Sequence, residues 1–364
     1  MIRFSSALAP PDRSLLDSRG GFVWWYLDLV DENGDGLVVI WSFGLPFLPG
    51  YAQSARLGLA PHAHTLPSLN LVVYQGGREQ LYLLQRLNPA DARWADGEEL
   101  RLGASTFRSF VEGNQRVVEA NIDCDLPGGA RLSGQVSARG AAVHAEHTDP
   151  PETSPHCWTP LLAPGHGEAT LYIDGAPSFC LRGRAYHDRN SSPLPLQELG
   201  IDRWFWARGS CDDGERVVYV LWPKDGGAPR AFSLHIRQDG QVLRREGLMV
   251  SERGTHRLRY GMSSCEELIV HGEDEVRVRL HSLLENGPFY LRFVGILQHG
   301  DARGPAVAEM VNASRVDMDV HRPFVRMRVH DLAGPNSPML PWFSGPARGR
   351  WARLGRSLLE QVSP

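Results

Sequence analysis

The side chains best suited to chemistry are concentrated in one short segment, AYHDRN, which ends at Asn190. In an extended strand, Tyr186, Asp188 and Asn190 would share one face, and His187 would point to the other. A carboxyl group on such a face could donate a proton, provided that burial kept it protonated near neutral pH. We therefore take Asp188 as the first candidate acid, with Tyr186 and His187 as further catalytic candidates. The alternative is that Asp188 and Asn190 only cap a turn before the proline-rich stretch that follows.

Large aromatic residues accompany this segment. Trp204 and Trp206 lie two positions apart in RWFWAR, so a strand would place both rings on one face. A second aromatic face is expected in the strand Gly21–Val30, where Trp24 and Tyr26 alternate. Each desolvated ring can stabilise a neighbouring cation by about 1–2 kcal/mol. The four rings could therefore bind a substrate and tolerate a carbocation, although core packing alone explains the two tryptophans of RWFWAR equally well.

Two further polar residues are candidates. Asp28 would share the face of Trp24 and Tyr26 as a second acid or a binding residue, or it would simply end the strand before the DENGDG turn. Tyr219 could donate to a reacting group, or it could be a core tyrosine with a satisfied hydroxyl. The chain has no G-x-S-x-G elbow and no glycine-rich phosphate loop. We expect neither a metal ion nor an organic cofactor.

Composition narrows the class of protein. The 38 Lys and Arg nearly balance the 42 Asp and Glu, so nucleic acid is not the expected partner. Hydrophobic residues make up 42% of the chain, which is enough for a packed core. The 5 cysteines are scattered without a C-x-x-C pair, which favours a reducing compartment. With no signal-peptide core and no apolar run of membrane-spanning length, we expect a cytoplasmic protein.

The rhythm of short apolar segments and turns predicts an all-β chain. We expect an N-terminal arm over residues 1–19, one β domain over 20–150 and a second over 151–345. The proline-rich stretch Thr148–Pro164 marks the boundary between them. A short amphipathic helix is expected over residues 346–364. Seven arginines against one aspartate between residues 321 and 356 suggest peripheral contact of this tail with the inner membrane, whereas simple docking across a barrel is the other reading.

Five motifs, in order along the chain, resemble those of the carotenoid hydratase (hydroxyneurosporene synthase) family of the lipocalin-like, AttH-like double-barrel superfamily. FVWWYLDLVDENGDGLVVIWSFG is similar to the opening strand and hairpin of that family, and LNLVVYQGG to its L-N-V-A-L-Y strand. HCWTPLLAP, AYHDRNSSPLPL and RWFWAR are similar to its H-x-W-x-P, Y-x-D-x-N and W-x-W-S-R segments. The positions that these motifs add to the binding candidates are Asn70, His156 and Trp158.

The resemblance implies two consecutive lipocalin-like β-barrel or sandwich domains and a reaction at a C=C bond of a long hydrophobic isoprenoid or polyene. The family adds water across an isolated double bond, so acid-catalysed hydration is the first reading. The chain departs from the family after Tyr219, where Val220 and Leu221 stand near an expected acid. A cyclase that templates a polyketide-like polyene in natural-product biosynthesis, and a non-catalytic lipid or pigment carrier, therefore stay open. Substrate identity and oligomeric state are not specified by the sequence.

Overall fold

The computed structural model describes residues 2–5, 12–59, 61–95, 97–145, 149, 154–273 and 275–346, and strands dominate them. The first twelve strands are β1 (Ile2–Phe4), β2 (Phe22–Val30), β3 (Gly36–Phe43), β4 (Pro67–Gln75), β5 (Arg78–Arg86), β6 (Ala92–Trp94), β7 (Glu98–Leu102), β8 (Ser105–Glu112), β9 (Gln115–Asp125), β10 (Arg131–Ala142), β11 (His156–Ile173) and β12 (Ala176–Ser192). The others are β13 (Ile201–Cys211), β14 (Gly214–Pro223), β15 (Arg230–Arg237), β16 (Val242–Arg253), β17 (His256–Arg257), β18 (Ser263–Ser264), β19 (Glu267–His271), β20 (Val276–Asn286), β21 (Tyr290–His299), β22 (Ala302–Asn312) and β23 (Val329–Asp331).

The helices among the described residues are short. The α-helices are α1 (Tyr51–Arg56), α2 (Arg322–Arg326) and α3 (Leu340–Phe343). The 3₁₀ helices are Arg13–Asp17, Ala63–Thr65, Pro89–Asp91, Leu196–Glu198, Arg259–Gly261, Ala313–Arg315 and Asp319–His321. None of the helices in the described part of the chain is long and apolar enough to cross a bilayer.

Apart from β17 and β18, which pair only with each other, the strands of the described residues form two bodies. The curled sheet has thirteen strands: β1 pairs with β11, and the others follow the order β23-β5-β4-β3-β2-β12-β11-β10-β9-β8-β7-β6. The barrel is closed, in the order β13-β14-β15-β16-β19-β20-β21-β22, because β22 pairs back onto β13. The prediction of an all-β chain with two lipocalin-like β units is confirmed.

Alternation along each strand divides its side chains between two environments. Val23, Trp25, Leu27 and Leu29 of β2 lie in the core of the curled sheet. The intervening residues of β2, among them Tyr26, face the barrel and join a second apolar cluster that both bodies share. Strand β13 alternates in the same way, because Phe205 and Ala207 fill the barrel interior while Trp204 and Trp206 face the curled sheet. The period of two therefore produces two separate cores with a third apolar layer between them.

A buried ion cluster crosses this middle layer. Arg208 of the barrel is 1% exposed and pairs with Asp28 of the curled sheet, which accepts from its Nε at 3.2 Å. Its Nη1 also donates to Glu215 Oε1 at 3.1 Å. The hydroxyl of Tyr26 donates to Asp28 Oδ2 at 2.8 Å. A single buried guanidinium is thus held between carboxylates from the two bodies, which ties one to the other.

The change between the bodies lies further along the chain than the expected division at residue 150. Strands β11 and β12 belong to the curled sheet, so the change falls between Ser192 and Ile201. The segment from His156 to Pro164, which was expected to lie at the boundary between the domains, is part of strand β11. Its prolines are accommodated because Pro160 and Pro164 lie at register shifts against β12, where a strand tolerates a missing N–H donor.

The sequence predicts an arm at the N-terminus and an amphipathic helix at the C-terminus. The arm of residues 1–19 is partly structured, since β1 pairs in parallel with β11 and Arg13–Asp17 forms a 3₁₀ helix. Near the other end, β23 returns to the curled sheet and pairs in parallel with β5. The amphipathic helix expected over 346–364 lies outside the described residues apart from Pro346.

The sequence analysis did not predict helix α1. Its six residues are too few to show a helical period in the sequence.

We predict that Arg208→Met lowers the free energy of unfolding by about 3–5 kcal/mol, because it leaves the Asp28 and Glu215 carboxylates buried without their cation. Asp28→Asn should cost less, because Arg208 then keeps Glu215. Denaturant unfolding measures both. Arg182→Met, at a largely exposed pair with Glu168, is the control and should change stability by less than about 1 kcal/mol. Equal stability of Arg208→Met and the control would contradict the assignment.

Candidate active site

A cavity of about 210 Å³ lies in the layer between the curled sheet and the barrel. Both bodies contribute to its wall, and the segments around α1 and α2 border it. The aromatic residues of the wall are Trp24, Tyr26, Phe47, Tyr82, Trp158, Trp204, Trp206, Tyr219, Phe289, Tyr290 and Phe324. The polar ones are Ser42, Ser68, Asn70, Asp188, Asn190, Glu285, Arg292, Glu309 and Arg328. Phe324 is 40% exposed, which places the opening of the cavity near α2.

Asp188 is held at the wall by three donors. Its Oδ2 accepts from Trp158 Nε1 at 2.7 Å and from the Tyr186 hydroxyl at 3.0 Å. Its Oδ1 accepts from Asn190 Nδ2 at 3.1 Å. Because two donors occupy the acceptor positions of Oδ2, the proton of the neutral acid belongs on Oδ1. The acidic proton is therefore carried by the oxygen with the fewer protein partners.

Burial keeps this carboxyl protonated up to neutral pH. Asp188 is 4% exposed, and desolvation raises its pKa from 3.8 to about 7. The hydrogen bonds from Trp158 and Tyr186 act in the opposite direction, while the negative charges of Glu309 and Asp28 raise the pKa further. Desolvation is the largest of these effects. Asp188 can therefore act as a general acid near pH 7.

His156 acts on this acid through Asn190. Burial lowers the pKa of His156 to about 4, so its imidazole is neutral at physiological pH. Its Nε2 lies 3.0 Å from Asn190 Oδ1, which can only accept, so Nε2 carries the imidazole proton. The amide of Asn190 is thereby oriented with its Nδ2 toward Asp188. His156 itself does not line the cavity; it fixes the side chain that does.

Aromatic faces surround the acid. The ring of Trp158 meets Tyr219 edge to face at 5.3 Å, and Trp206 lies 5.4 Å from Tyr186 and 5.8 Å from Tyr26. Such rings present a negative π-face to a cation in a site without bulk water. Together with the neutral acid, they form a site that can protonate an alkene and tolerate the carbocation that results.

A second polar group lies on the barrel side of the wall, and sequence analysis missed it. Arg292 of β21 donates from Nη2 to Glu309 Oε1 at 2.9 Å and from Nη1 to the Tyr74 hydroxyl at 2.8 Å. It also pairs with Glu285 Oε1 at 3.3 Å, and its Nη2 donates to the Tyr290 hydroxyl. The available signal was a single charged residue inside each of two apolar strands, FYLRFVGIL and AVAEMV.

The candidates from the sequence divide into two groups. Those that line the cavity are Trp24, Tyr26, Asn70, Trp158, Asp188, Asn190, Trp204, Trp206 and Tyr219. Those that do not are Asp28, His156, Tyr186 and His187. Tyr186 still contacts the acid, because its hydroxyl donates to Asp188.

Two candidates have structural partners away from the cavity, and their assignment to the site is corrected accordingly. His187 points into the curled sheet, where Nδ1 lies 2.7 Å from the Tyr26 carbonyl and Nε2 lies 3.2 Å from Ser109 Oγ. It does so because the strand alternates, which sends His187 to the face opposite Asp188. Asp28 faces the barrel but is engaged by the guanidinium of Arg208. Neither side chain can reach a molecule in the cavity.

The fold and the cavity together define a lipocalin-like β protein with a largely aromatic cavity whose wall contains the buried carboxyl group of Asp188. A family model described as carotenoid hydratase CrtC matches residues 39–335. The chain belongs to this family.

Individual relatives agree with this assignment. An acyclic carotenoid 1,2-hydratase of Thiocapsa roseopersicina is 27% identical to this chain. The matched region covers 78% of this chain and 66% of that protein. A hydroxyneurosporene dehydrogenase of Chlorobaculum tepidum is 27% identical over 89% of this chain and 91% of its own length. The crystal structure of a Nitrosomonas europaea protein, provisionally assigned as AttH, has a TM-score of 0.56 and 16% identity over 82% of this chain and 93% of its own. This last similarity concerns the fold alone.

We predict that Asp188→Asn changes how stability depends on pH. Between about pH 4 and 7 the folded protein retains a proton that the unfolded chain releases, since the pKa is about 7 when folded and 3.8 otherwise. This residue therefore makes the wild type progressively less stable as the pH rises through that window, and the asparagine variant lacks the effect. Urea unfolding of both proteins at several pH values measures it. Asp319→Asn, at an exposed aspartate, is the control, and a pH-independent difference for Asp188→Asn would contradict a buried neutral acid.

Proposed function

We propose that this protein is a hydratase that adds water to a C=C bond of a long apolar isoprenoid, with Asp188 as the general acid. The observation that carries the proposal is a buried carboxyl with a pKa of about 7 at the wall of an aromatic cavity. An isolated alkene is a weak base, so its protonation needs an acid that is neutral at working pH and a surrounding wall that stabilises the cation. The names of the carotenoid hydratase family and of the Thiocapsa relative support the same reaction.

The substrate reaches the acid with one end of its chain. The cavity opens near Phe324. The terminal isoprene unit enters toward Asp188, and the rest of the polyene extends through the opening. The proton of Oδ1 passes to the less substituted alkene carbon, which leaves a tertiary cation beside Trp158 and Trp206. Water then adds to the cation and releases one proton, and the product is a tertiary alcohol.

Cyclisation through the same cation is the second candidate, because an acid among aromatic faces can also start attack by an internal double bond. The two reactions differ in the origin of oxygen. Hydration in heavy-oxygen water places the label in the product, whereas cyclisation adds no oxygen. A carrier would return its ligand unchanged.

We predict that Asp188→Asn lowers kcat about 10³-fold while the substrate still binds, because the amide keeps the shape of the carboxyl but cannot donate its proton to an alkene. Turnover of an acyclic carotenoid in heavy-oxygen water, followed by mass spectrometry, measures both the rate and the label. Asp319→Asn is the control and should retain wild-type turnover. Full activity of the folded Asp188→Asn protein would refute the assignment of the acid.

We predict that Tyr186→Phe moves the alkaline limb of the pH–rate profile upward. The wild type should lose activity as the pH rises through about 7, where Asp188 ionises. The Tyr186 hydroxyl stabilises the charged carboxylate and lowers this pKa, so its removal keeps the acid protonated to higher pH. Rates at saturating substrate across the pH range test this. A limb that stays in place, or moves to lower pH, would show that Asp188 does not control it.

A further inference from the structure

The wall of the cavity contains a buried hydrogen-bond donor without a partner in the described structure. The indole Nε1 of Trp206 is such a group, although the residue is only 5% exposed. A buried N–H without an acceptor has lost the hydrogen bond that water gave it in the unfolded chain, so a bound acceptor would be favourable there. Because Trp206 lines the cavity, a molecule inside it can supply the missing acceptor.

The residue opposite Trp206 on the neighbouring strand carries a carboxylate. Glu309 of β22 is the direct cross-strand partner of Trp206 on β13, and it also lines the cavity. A carboxylate offers about four acceptor positions, and the hydrogen bonds from Arg292 and Tyr290 use two of them. Glu309 therefore retains acceptor capacity for a molecule in the cavity. An N–H donor and a carboxylate acceptor side by side match the two needs of a bound water, whose oxygen accepts and whose hydrogens donate.

The charges around Glu309 suit a proton acceptor. Arg292 contacts two carboxylates, Glu309 and Glu285, so this cluster carries one more acid than base. Burial raises the pKa of Glu309, and Arg292 opposes that rise. The cluster can thus accept one proton and then be neutral overall. Before it does so, its excess negative charge favours a carbocation in the cavity.

We propose that Glu309 and the indole N–H of Trp206 hold the water molecule that adds to the substrate cation, and that Glu309 takes up its proton. The inference rests on the proposed hydration. The O–H bond of Asp188 breaks as a C–H bond forms on the alkene. Next, the water oxygen forms a C–O bond to the cation while one of its O–H bonds breaks toward Glu309. Exchange with solvent returns a proton to Asp188 and removes one from Glu309, so the net reaction is alkene plus water to alcohol.

The proposed acid and base are both connected to Trp206. The ring of Tyr186, which donates to Asp188, packs at 5.4 Å against Trp206, and Trp206 pairs with Glu309. With separate residues for the two proton transfers, neither group has to act as both donor and acceptor within one addition.

The test uses deuterium oxide. In the wild type, an acyclic carotenoid should be converted to an alcohol that carries deuterium from Asp188. In Glu309→Gln, protonation still occurs but water is not activated, so the cation loses a proton instead. We expect hydration to fall at least 10²-fold while deuterium continues to enter the recovered alkene. Glu168→Gln, at an exposed ion pair, is the control and should behave as the wild type does.

The outcomes separate the two proposals. If the wild type neither hydrates the alkene nor labels it, the proposed function fails. If Glu309→Gln is folded and hydrates at the wild-type rate, or loses both hydration and labelling, the water-holding role is overturned. Should Glu309→Gln not fold, Trp206→Phe decides, because it keeps an aromatic ring and removes the donor. Slower hydration with retained labelling in Trp206→Phe supports the proposal, and an unchanged rate overturns it.

Discussion

The placement of one guanidinium between two carboxylates, deep in the protein, underlies the rest of the structure. Arg208 comes from the barrel, Asp28 from the curled sheet and Glu215 from the barrel, and all three are almost completely buried. Taking these charges out of water is costly, and only mutual pairing in a fixed geometry offsets the cost. The two bodies are therefore held in one relative position. Because the cavity lies in the layer between them, its shape depends on that position.

The pKa of Asp188 also depends on burial in this layer. The pKa of Asp188 is the result of opposing effects: burial raises it, and the donors Trp158 and Tyr186 lower it. Complete burial without donors would hold the proton too tightly to give it to an alkene, and full solvation would release it before a substrate arrived. A value near neutral pH is the compromise that proton donation requires. A second polar group, around Arg292, lies in the same largely aromatic wall.

The sequence predicts most of this arrangement wherever a period of two applies. The alternation in β2 and in AYHDRN correctly separates Trp24 and Tyr26 from Trp25, and Asp188 from His187. It does not reveal Glu309 or Arg292, because each is a single charged residue in an apolar strand, and their meeting is decided by the register of β21 and β22. Asp28 was a reasonable acid from its face alone, but its partner Arg208 lies 180 residues away. The division at residue 150 was misplaced for a related reason. The proline-rich stretch suggested a domain boundary. Strand β11 nevertheless runs through it, and its prolines lie at register shifts in the pairing with β12.

Because the curled sheet and the barrel form the cavity together, the cavity is complete only after both have been synthesised and have docked. Asp188 is carried by one body, while Trp206 and Tyr219, which shield it, are carried by the other. An N-terminal half that had emerged from the ribosome alone would expose this carboxyl to solvent, where it would ionise as an ordinary aspartate does. The capacity to protonate a hydrocarbon that we propose for Asp188 would therefore arise only when both halves have docked. A nascent or damaged chain would not protonate a substrate, so no carbocation would form in a molecule that lacks the aromatic wall to shield it.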